Sequence, residues 1–205
     1  MAAWDRVRQK PMTKLIDATD DVPDDILLQR YADGDPRAAG MLTARLLPRV
    51  LAHASRVLGN HAEAEDVAQE AMMRLWRVAP DWRRGEAKIS TWLYRVVANL
   101  CMDRLRRARV VSLDAVAEPV DDRSGAEEHL LSEARAAALQ DALMRLSDRQ
   151  RQAVVLRHIE GLGNPEIAEI MQISTEAVES LTARGKRALS ADLMAQRSEL
   201  GYSNG

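Results

Sequence analysis

Apolar residues at Ile89, Trp92, Leu93, Val96, Val97 and Leu100, with Leu105 beyond them, recur in steps of three and four. That spacing lines one buried face of an α-helix, whereas a strand would alternate with a period of two. Val67, Ala71, Leu75 and Val78 repeat the same pattern. Composition agrees. Phe is absent and aromatics are 3% of the chain, while strands favour aromatic and β-branched residues. Hydrophobic residues at 46% suffice for cores of Leu, Val, Ile, Ala and Met. The chain is expected to be all-α.

Capping residues and breakers divide it into helices. Pro23 and Asp24 open a short helix to about Asp33. Asp35 and Pro36 form an N-cap followed by a proline suited to the first turn. That helix runs toward Leu58 and stops at Gly59, with Pro48 predicting a kink or break inside it. Asn60, with Glu63 three residues on, starts the next helix, and Pro80 ends it. In the second half, helices are expected from Glu127 to Leu146, from Ser147 (capped, with Gln150) to Gly161, from Asn164 to about Met171, and from Ser174 to about Ala195.

Net charge is only −2, but its distribution is uneven. Residues 81–109 carry eight Lys or Arg against three acids, and residues 110–128 carry six acids against one base. A net of +5 is followed by a net of −5, with Pro119 and Gly125 inside the acidic stretch. The chain therefore reads as two small helical domains, residues 23–109 and 129–195, joined by an acidic flexible linker at 110–128. Residues 196–205 form a tail. Residues 1–22, with Trp4, Val7 and Pro11, are either a partner-binding arm or a tail; the polar run that follows favours a disordered tail.

The sharpest local pattern lies at residues 164–189. Ile167, Ala168 and Ile170 mark a short helix. Gln172, Ile173 and Ser174 mark a tight turn, and a second helix starts with Val178 and Leu181 facing inward. This is a helix-turn-helix layout, whose second helix enters the major groove by its first turns. Thr175, Glu176, Glu179, Ser180 and Thr182 would be exposed there. Arg184, Lys186 and Arg187 follow and suit phosphates. Glu179 also fits an ordinary solvated helix face, since a carboxylate near DNA is repelled unless it accepts from cytosine N4.

Arg104, Arg106, Arg107 and Arg109 cluster at the end of the long helix. The helix dipole accounts for part of this; four arginines in six residues also make a phosphate-binding stripe. Asn99, one turn earlier, either bonds a base edge or simply faces water. Trp82, Arg83 and Arg84 suit a base splayed out of single-stranded DNA, or else Trp82 closes the core edge. Trp92 has core spacing, and Trp76 is either core or a partner anchor.

Other chemistry finds little support. His53, His61, His129 and His158 are scattered and no metal site is expected. The single Cys101 forms no internal disulfide, and the neighbouring cations would lower its pKa. There is no glycine loop for phosphate, no nucleophile with a base, and no call for a cofactor; the chain is not expected to be an enzyme. No run reaches the roughly 18 apolar residues of a membrane span. Residues 1–14 lack an apolar signal core, so a cytoplasmic protein is expected.

The residues Ala64-Glu65-Asp66-Val67-Ala68-Gln69-Glu70 and Met72-Met73-Arg74-Leu75-Trp76-Arg77 resemble the polymerase-binding helix of ECF (extracytoplasmic function) sigma factors. Ser90-Thr91-Trp92-Leu93-Tyr94-Arg95-Val96-Val97-Ala98-Asn99-Leu100 and Asp103-Arg104-Leu105-Arg106-Arg107 resemble their promoter-melting helix. Leu146-Ser147-Asp148-Arg149-Gln150-Arg151, Gly161-Leu162 and Glu166-Ile167-Ala168-Glu169-Ile170 resemble their C-terminal domain. The resemblance spans about residues 24–193. Glu179 and Leu181 stand where relatives usually carry Lys and Arg, and Ile89 where Phe is common.

The resemblance implies a transcription initiation factor. Asp66, Gln69, Glu70, Arg74 and Trp76 would grip the clamp helices of core RNA polymerase. Trp82, Arg83, Arg84, Lys88, Asn99, Arg104, Arg106 and Arg107 would bind the melted −10 element. Ser174, Thr175, Glu176, Glu179, Ser180, Arg184, Lys186 and Arg187 would meet the −35 element, with the polymerase flap holding this second domain. The acidic linker would thread the polymerase interior, and an anti-sigma factor would cover these faces in the free factor. Two rivals remain: a helix-turn-helix regulator acting without polymerase, and a signalling adaptor that binds only proteins.

Overall fold

The computed structural model describes residues 22–85, 87–111 and 127–195. Segments 1–21, 112–126 and 196–205 lie outside the described residues, and with them most of the expected tails and linker. Among the described residues eight α-helices follow one another: α1 (Asp24–Ala32), α2 (Pro36–Leu58), α3 (His61–Val78), α4 (Ile89–Val111), α5 (Glu127–Arg145), α6 (Asp148–Val154), α7 (Asn164–Met171) and α8 (Thr175–Ala195). A single turn of 3₁₀ helix (Ala79–Asp81) follows α3, and a π-helical turn (Val155–Ile159) continues α6. No strand occurs among the described residues. Both ends of the expected linker are helical, because α4 runs through Val111 and α5 begins at Glu127.

The caps do what their side chains dictate. Asp35 accepts from the Arg37 amide at 2.9 Å, and Asn60 accepts from the Glu63 amide at 3.1 Å. Ser174 accepts from the Ala177 amide at 3.2 Å. Each satisfies a donor that the first helical turn leaves open. Ser147 is a correction: it holds the N-cap position of α6, but its side chain makes no capping hydrogen bond. Pro48 does not break α2, which is continuous from Pro36 to Leu58. Pro48 and Ala44 are both exposed, so the carbonyl robbed of its amide partner can be hydrated. Gly59 ends α2 in the left-handed conformation (φ 68°), which glycine adopts without strain.

Helices α1–α4 share one core. Leu42, Leu46, Val50 and Val57 of α2 meet Val67, Ala71 and Leu75 of α3 and Ile89, Leu93, Val97 and Cys101 of α4. Each large apolar side chain buried this way contributes about 1.5–3 kcal/mol. In the second domain, Leu143 and Leu146 pack on Val154 and Val155, with Leu189 of α8 alongside. Gly185 is buried there because α8 crosses α6 closely; a Cβ on it would sit 2.5 Å from Val154 Cγ2. Val154 is a stiff, β-branched side chain with no room to turn. Gly185→Ala therefore destabilises the domain by a net of up to about 2 kcal/mol. Overpacking of about 1–3 kcal/mol outweighs the roughly 1 kcal/mol gained in helix propensity. A urea midpoint that rises would refute this.

Helix α4 has a second buried face that its apolar spacing does not show. Thr91, Tyr94 and Ala98 are buried, and Tyr94 and Ala98 join Leu156, Ile167, Ile170 and Val178 in one cluster. The helix-turn-helix unit thus packs against the outer side of α4.

Candidate nucleic-acid interface

The exposed side of α3 carries Asp66, Gln69 and Met73, one turn apart in succession. Glu70 and Arg74 beside them pair at 2.7 Å, and Arg74 holds the Glu70 carboxyl below its usual range. Trp76 packs on Tyr31, with ring centroids 4.7 Å apart, and is half-buried, so it is both core edge and surface. Met73 is half exposed and was not singled out in the sequence. The signal was the Met72–Met73 pair, because only one of two adjacent helical residues can face the core.

The cationic stripe at the end of α4 divides once the fold is formed. Arg104 turns inward and pairs with Glu63 and with Asp66, the latter at 3.5 Å. The Glu63 hydrogen bond raises the guanidinium pKa further, so the group stays charged. Arg106 pairs with Asp103 on its own helix at 2.8 Å. Arg109 reaches Asp148 at the start of α6. Arg107 is exposed and lines a shallow groove of about 570 Å³ with Leu58, Leu105 and Ala108. Arg104 is therefore a pin between α3 and α4.

The loop before α4 is similarly occupied. Trp82 sets its ring edge-on to Trp92, centroids 5.9 Å apart at 85°, and packs on the first core. Its indole nitrogen is buried without a hydrogen-bond partner. Arg84 pairs with Asp25 at 3.1 Å, and Lys88 with Glu166 of α7 at 2.9 Å. Arg83 is exposed. Asn99 is exposed and opens onto a polar cleft of about 640 Å³ that α4 shares with Arg149, Gln152 and Gln172 of the second domain.

In the helix-turn-helix, Gln172 adopts φ 54°, a left-handed conformation uncommon outside glycine, and this reverses the chain between α7 and α8. Glu176, Glu179, Ser180, Arg184, Lys186 and Arg187 are exposed on α8, Thr175 is half-buried, and Ser174 caps the helix. Glu176 accepts from its own amide and from Ser174, which holds its carboxyl below the usual range. Glu179 accepts from Asn164 at 3.3 Å. Arg184 donates back to the Ser180 carbonyl at 3.2 Å. Thr182 departs from expectation: it is buried, and its hydroxyl donates to the Val178 carbonyl at 2.8 Å. It lies one turn from Val178 and so shares its inward face.

Cys101 is fully buried in the first core, and burial pushes its thiol up to about 12 despite the nearby Arg104. The expected lowering by the basic cluster is thus reversed. The folded chain should react with an aromatic disulfide reagent at pH 8 at least about a hundredfold more slowly than the urea-unfolded chain. Equal rates would contradict the burial. Among the described residues no cluster of three or more His, Cys, Asp or Glu is arranged to hold a metal ion. No described helix is long and apolar enough to cross a membrane.

Comparison with known proteins bears on both domains. Residues 42–110 match the family model of sigma-70 region 2, and residues 136–189 match that of sigma-70 region 4. The chain is 35% identical over 149 residues to the ECF RNA polymerase sigma factor SigW of Bacillus subtilis, covering 67% of this chain and 79% of that protein. It is 30% identical over 182 residues to the ECF RNA polymerase sigma-E factor of Escherichia coli, covering 83% and 94%. The solved structure of CnrH in complex with the cytosolic domain of CnrY is similar, with a TM-score of 0.60 and 31% identity over 84% of this chain and 97% of that one. The sigma factor RpoE from Bartonella quintana, solved with the anti-sigma factor NepR, shares the fold at a TM-score of 0.62 and 24% identity, covering 76% and 96%.

Proposed function

Because this chain belongs to the ECF RNA polymerase sigma factor family, we propose that its two domains divide promoter recognition between α4 and α8 while α3 holds the polymerase. As a sigma factor it binds core RNA polymerase and directs promoter-specific initiation; it is a transcription regulator, and RNA synthesis stays with the polymerase. The exposed face of α3, with Asp66, Gln69, Glu70, Met73, Arg74 and Trp76, is the surface we assign to the clamp helices of the large catalytic subunit. The end of α4 with Asn99, Arg106 and Arg107, together with Arg83, Arg84 and Lys88 in the loop before it, is assigned to the melted −10 element. Trp82 and Arg104 shape that surface from beneath. The exposed residues of α8 are assigned to the −35 element and the second domain to the polymerase flap. We place its action in the cytoplasm.

The observation that carries this reading is the pair of family matches, in order, on two helical domains. One of these ends in a cationic helix and the other in a helix-turn-helix. Purified chain and bacterial core polymerase, mixed with genomic DNA, should yield transcripts from defined start sites. Transcripts absent at every site would overturn it, and a gel shift of duplex DNA without polymerase would favour the independent regulator. An adaptor that binds only proteins would show no salt-dependent DNA binding even with polymerase present. CnrH and RpoE were each solved with a protein partner. We propose an anti-sigma partner here too, and affinity capture that recovers polymerase alone would count against it.

A further inference from the structure

We propose that Glu179 reads a cytosine in the upstream promoter element, and that Asn164 on the preceding helix aims its carboxylate at that base. This deepens the assignment of α8 to the −35 element, on which it rests. Glu179 lies in the second turn of α8 and is exposed. It shares an outward stripe with Glu176, Ser180, Ala183 and Arg187, all exposed, while Val178, Thr182 and Gly185 face inward. The first turns of such a helix are those that enter the major groove. Cations come only later on α8, at Arg184, Lys186 and Arg187. The leading part of the stripe is therefore acidic and small, where a phosphate contact would be basic.

The two acids at the start of α8 are held differently. Glu176 accepts from its own backbone amide and from Ser174, so its charge serves the helix N-terminus. Glu179 has no such role. The residues three and four positions to either side of it, Thr175, Glu176, Thr182 and Ala183, are not cations. No Lys or Arg among the described residues forms an ion pair with it. Its partner is Asn164 at the start of α7, whose Nδ2 donates to Oε1 at 3.3 Å across the helix-turn-helix. Oδ1 of Asn164 is buried without a hydrogen-bond partner. Flipping the amide would turn that oxygen onto the carboxylate, so only one orientation serves. The backbone beneath is fixed by Glu166, whose Oε2 accepts from the Gly163 amide at 3.2 Å. One oxygen of Glu179 is thus tied to the neighbouring helix, and Oε2 is left open to a ligand.

An ionised carboxylate can only accept. In the major groove guanine presents the acceptors N7 and O6, and thymine presents O4 and a methyl group, so neither can pair with it. Adenine N6 donates, but N7 of the same base and O4 of its thymine partner flank it with acceptors. Cytosine N4 donates and has no acceptor beside it on its own edge. An unpaired carboxylate among phosphates and away from bulk water costs more than a lost hydrogen bond, so the wrong base is rejected as well as the right one held. Tying one oxygen to Asn164 leaves less side-chain freedom to lose on binding.

Initiation by the full chain with core polymerase, on promoters randomised through the upstream element, tests this. One position should favour cytosine over the other bases by about tenfold. Glu179→Gln offers a donor beside an acceptor, and should move that preference to adenine, whose N6 and N7 it can bond together. Glu179→Ala should erase the preference there and leave the other positions unchanged. Asn164→Ala should weaken it about threefold, and should add nothing in the Glu179→Ala background, as for a contacting pair. Lost folding stability lowers output from every promoter alike, so it does not imitate a change at one base. A Glu179→Ala chain that initiates better on all sequences equally, as for a carboxylate that only repels phosphates, would overturn the contact. A cytosine preference that is absent, or that survives Glu179→Ala, would do the same, and full preference in Asn164→Ala would overturn the aiming role. If the native chain initiates from no member of the library, the sigma-factor reading fails instead. Duplexes retained by the chain alone then carry the same test: cytosine enrichment erased by Glu179→Ala upholds the contact, and its absence overturns it.

Discussion

Replacing Arg151 with Met lowers the stability of the second domain by about 3–5 kcal/mol, the range for removing one member of a buried charged network. Arg151 is 4% exposed. Its Nε donates to the Leu143 carbonyl at 3.0 Å, and its Nη2 donates to the Met144 and Leu146 carbonyls at 3.2 Å each. These belong to the last turn of α5 and the residue beyond it, where a helix runs out of amide donors, although the Leu143 carbonyl also accepts from the Leu146 amide at 3.1 Å. Nη2 also lies 3.4 Å from Asp148. Burial lowers the guanidinium pKa, with Asp148 acting against it, yet an arginine so placed remains charged. Met fills the volume but removes the guanidinium donors from these carbonyls and leaves Asp148 with only Arg109. Lys keeps the charge but presents donors from a single atom, and should fall between. Urea denaturation measures the loss, and a midpoint within about 0.3 M of the native chain would refute the role, given slopes of about 1–3 kcal/mol per molar.

The features legible in the sequence are those set by neighbours along the chain. Asp35, Asn60 and Ser174 cap their helices because the side chain and the amide it serves are two or three residues apart. The buried stripe of α3 and the Ile167–Ile170–Val178 core of the helix-turn-helix follow from helical period alone. What escaped depends on partners far away in sequence. Thr91, Tyr94 and Ala98 are polar, amphipathic or small, and Tyr94 and Ala98 are buried in one cluster with Leu156, Ile167, Ile170 and Val178, all more than 50 residues away. The arginine cluster was visible as a count of cations. That Arg104 belongs to Glu63, and Arg109 to Asp148, depends on helices 41 and 39 residues away. Cys101 follows the same rule: its neighbours along the chain are cations that favour the thiolate, while burial in the core formed with α2 and α3 raises its pKa. Pro48 shows the reverse case, a local signal for a break overruled by the packing of α2 on both sides of it.

Asp66→Ala with Gln69→Ala should weaken binding to core polymerase by about a hundredfold or more while leaving the fold intact. Two central positions of a protein interface, each contributing about 2 kcal/mol, reach that figure. Both side chains are exposed, so little folding energy is at stake. Arg106→Ala with Arg107→Ala should do the converse. Core binding should stay near native, while open complexes, read by permanganate reactivity of unpaired thymines, fall about tenfold and depend less steeply on salt. The structure changes what is expected of Arg104. It bonds Glu63 and approaches Asp66 to 3.5 Å, so it would couple the face of α3 that we assign to polymerase to the face of α4 that we assign to DNA. Arg104→Ala should impair both steps, and its effect combined with Asp66→Ala should fall short of the sum, as for any contacting pair. If Arg104→Ala instead behaves like the Arg106 and Arg107 pair, with core binding untouched, the pin between the helices carries no functional weight and α4 acts on DNA alone.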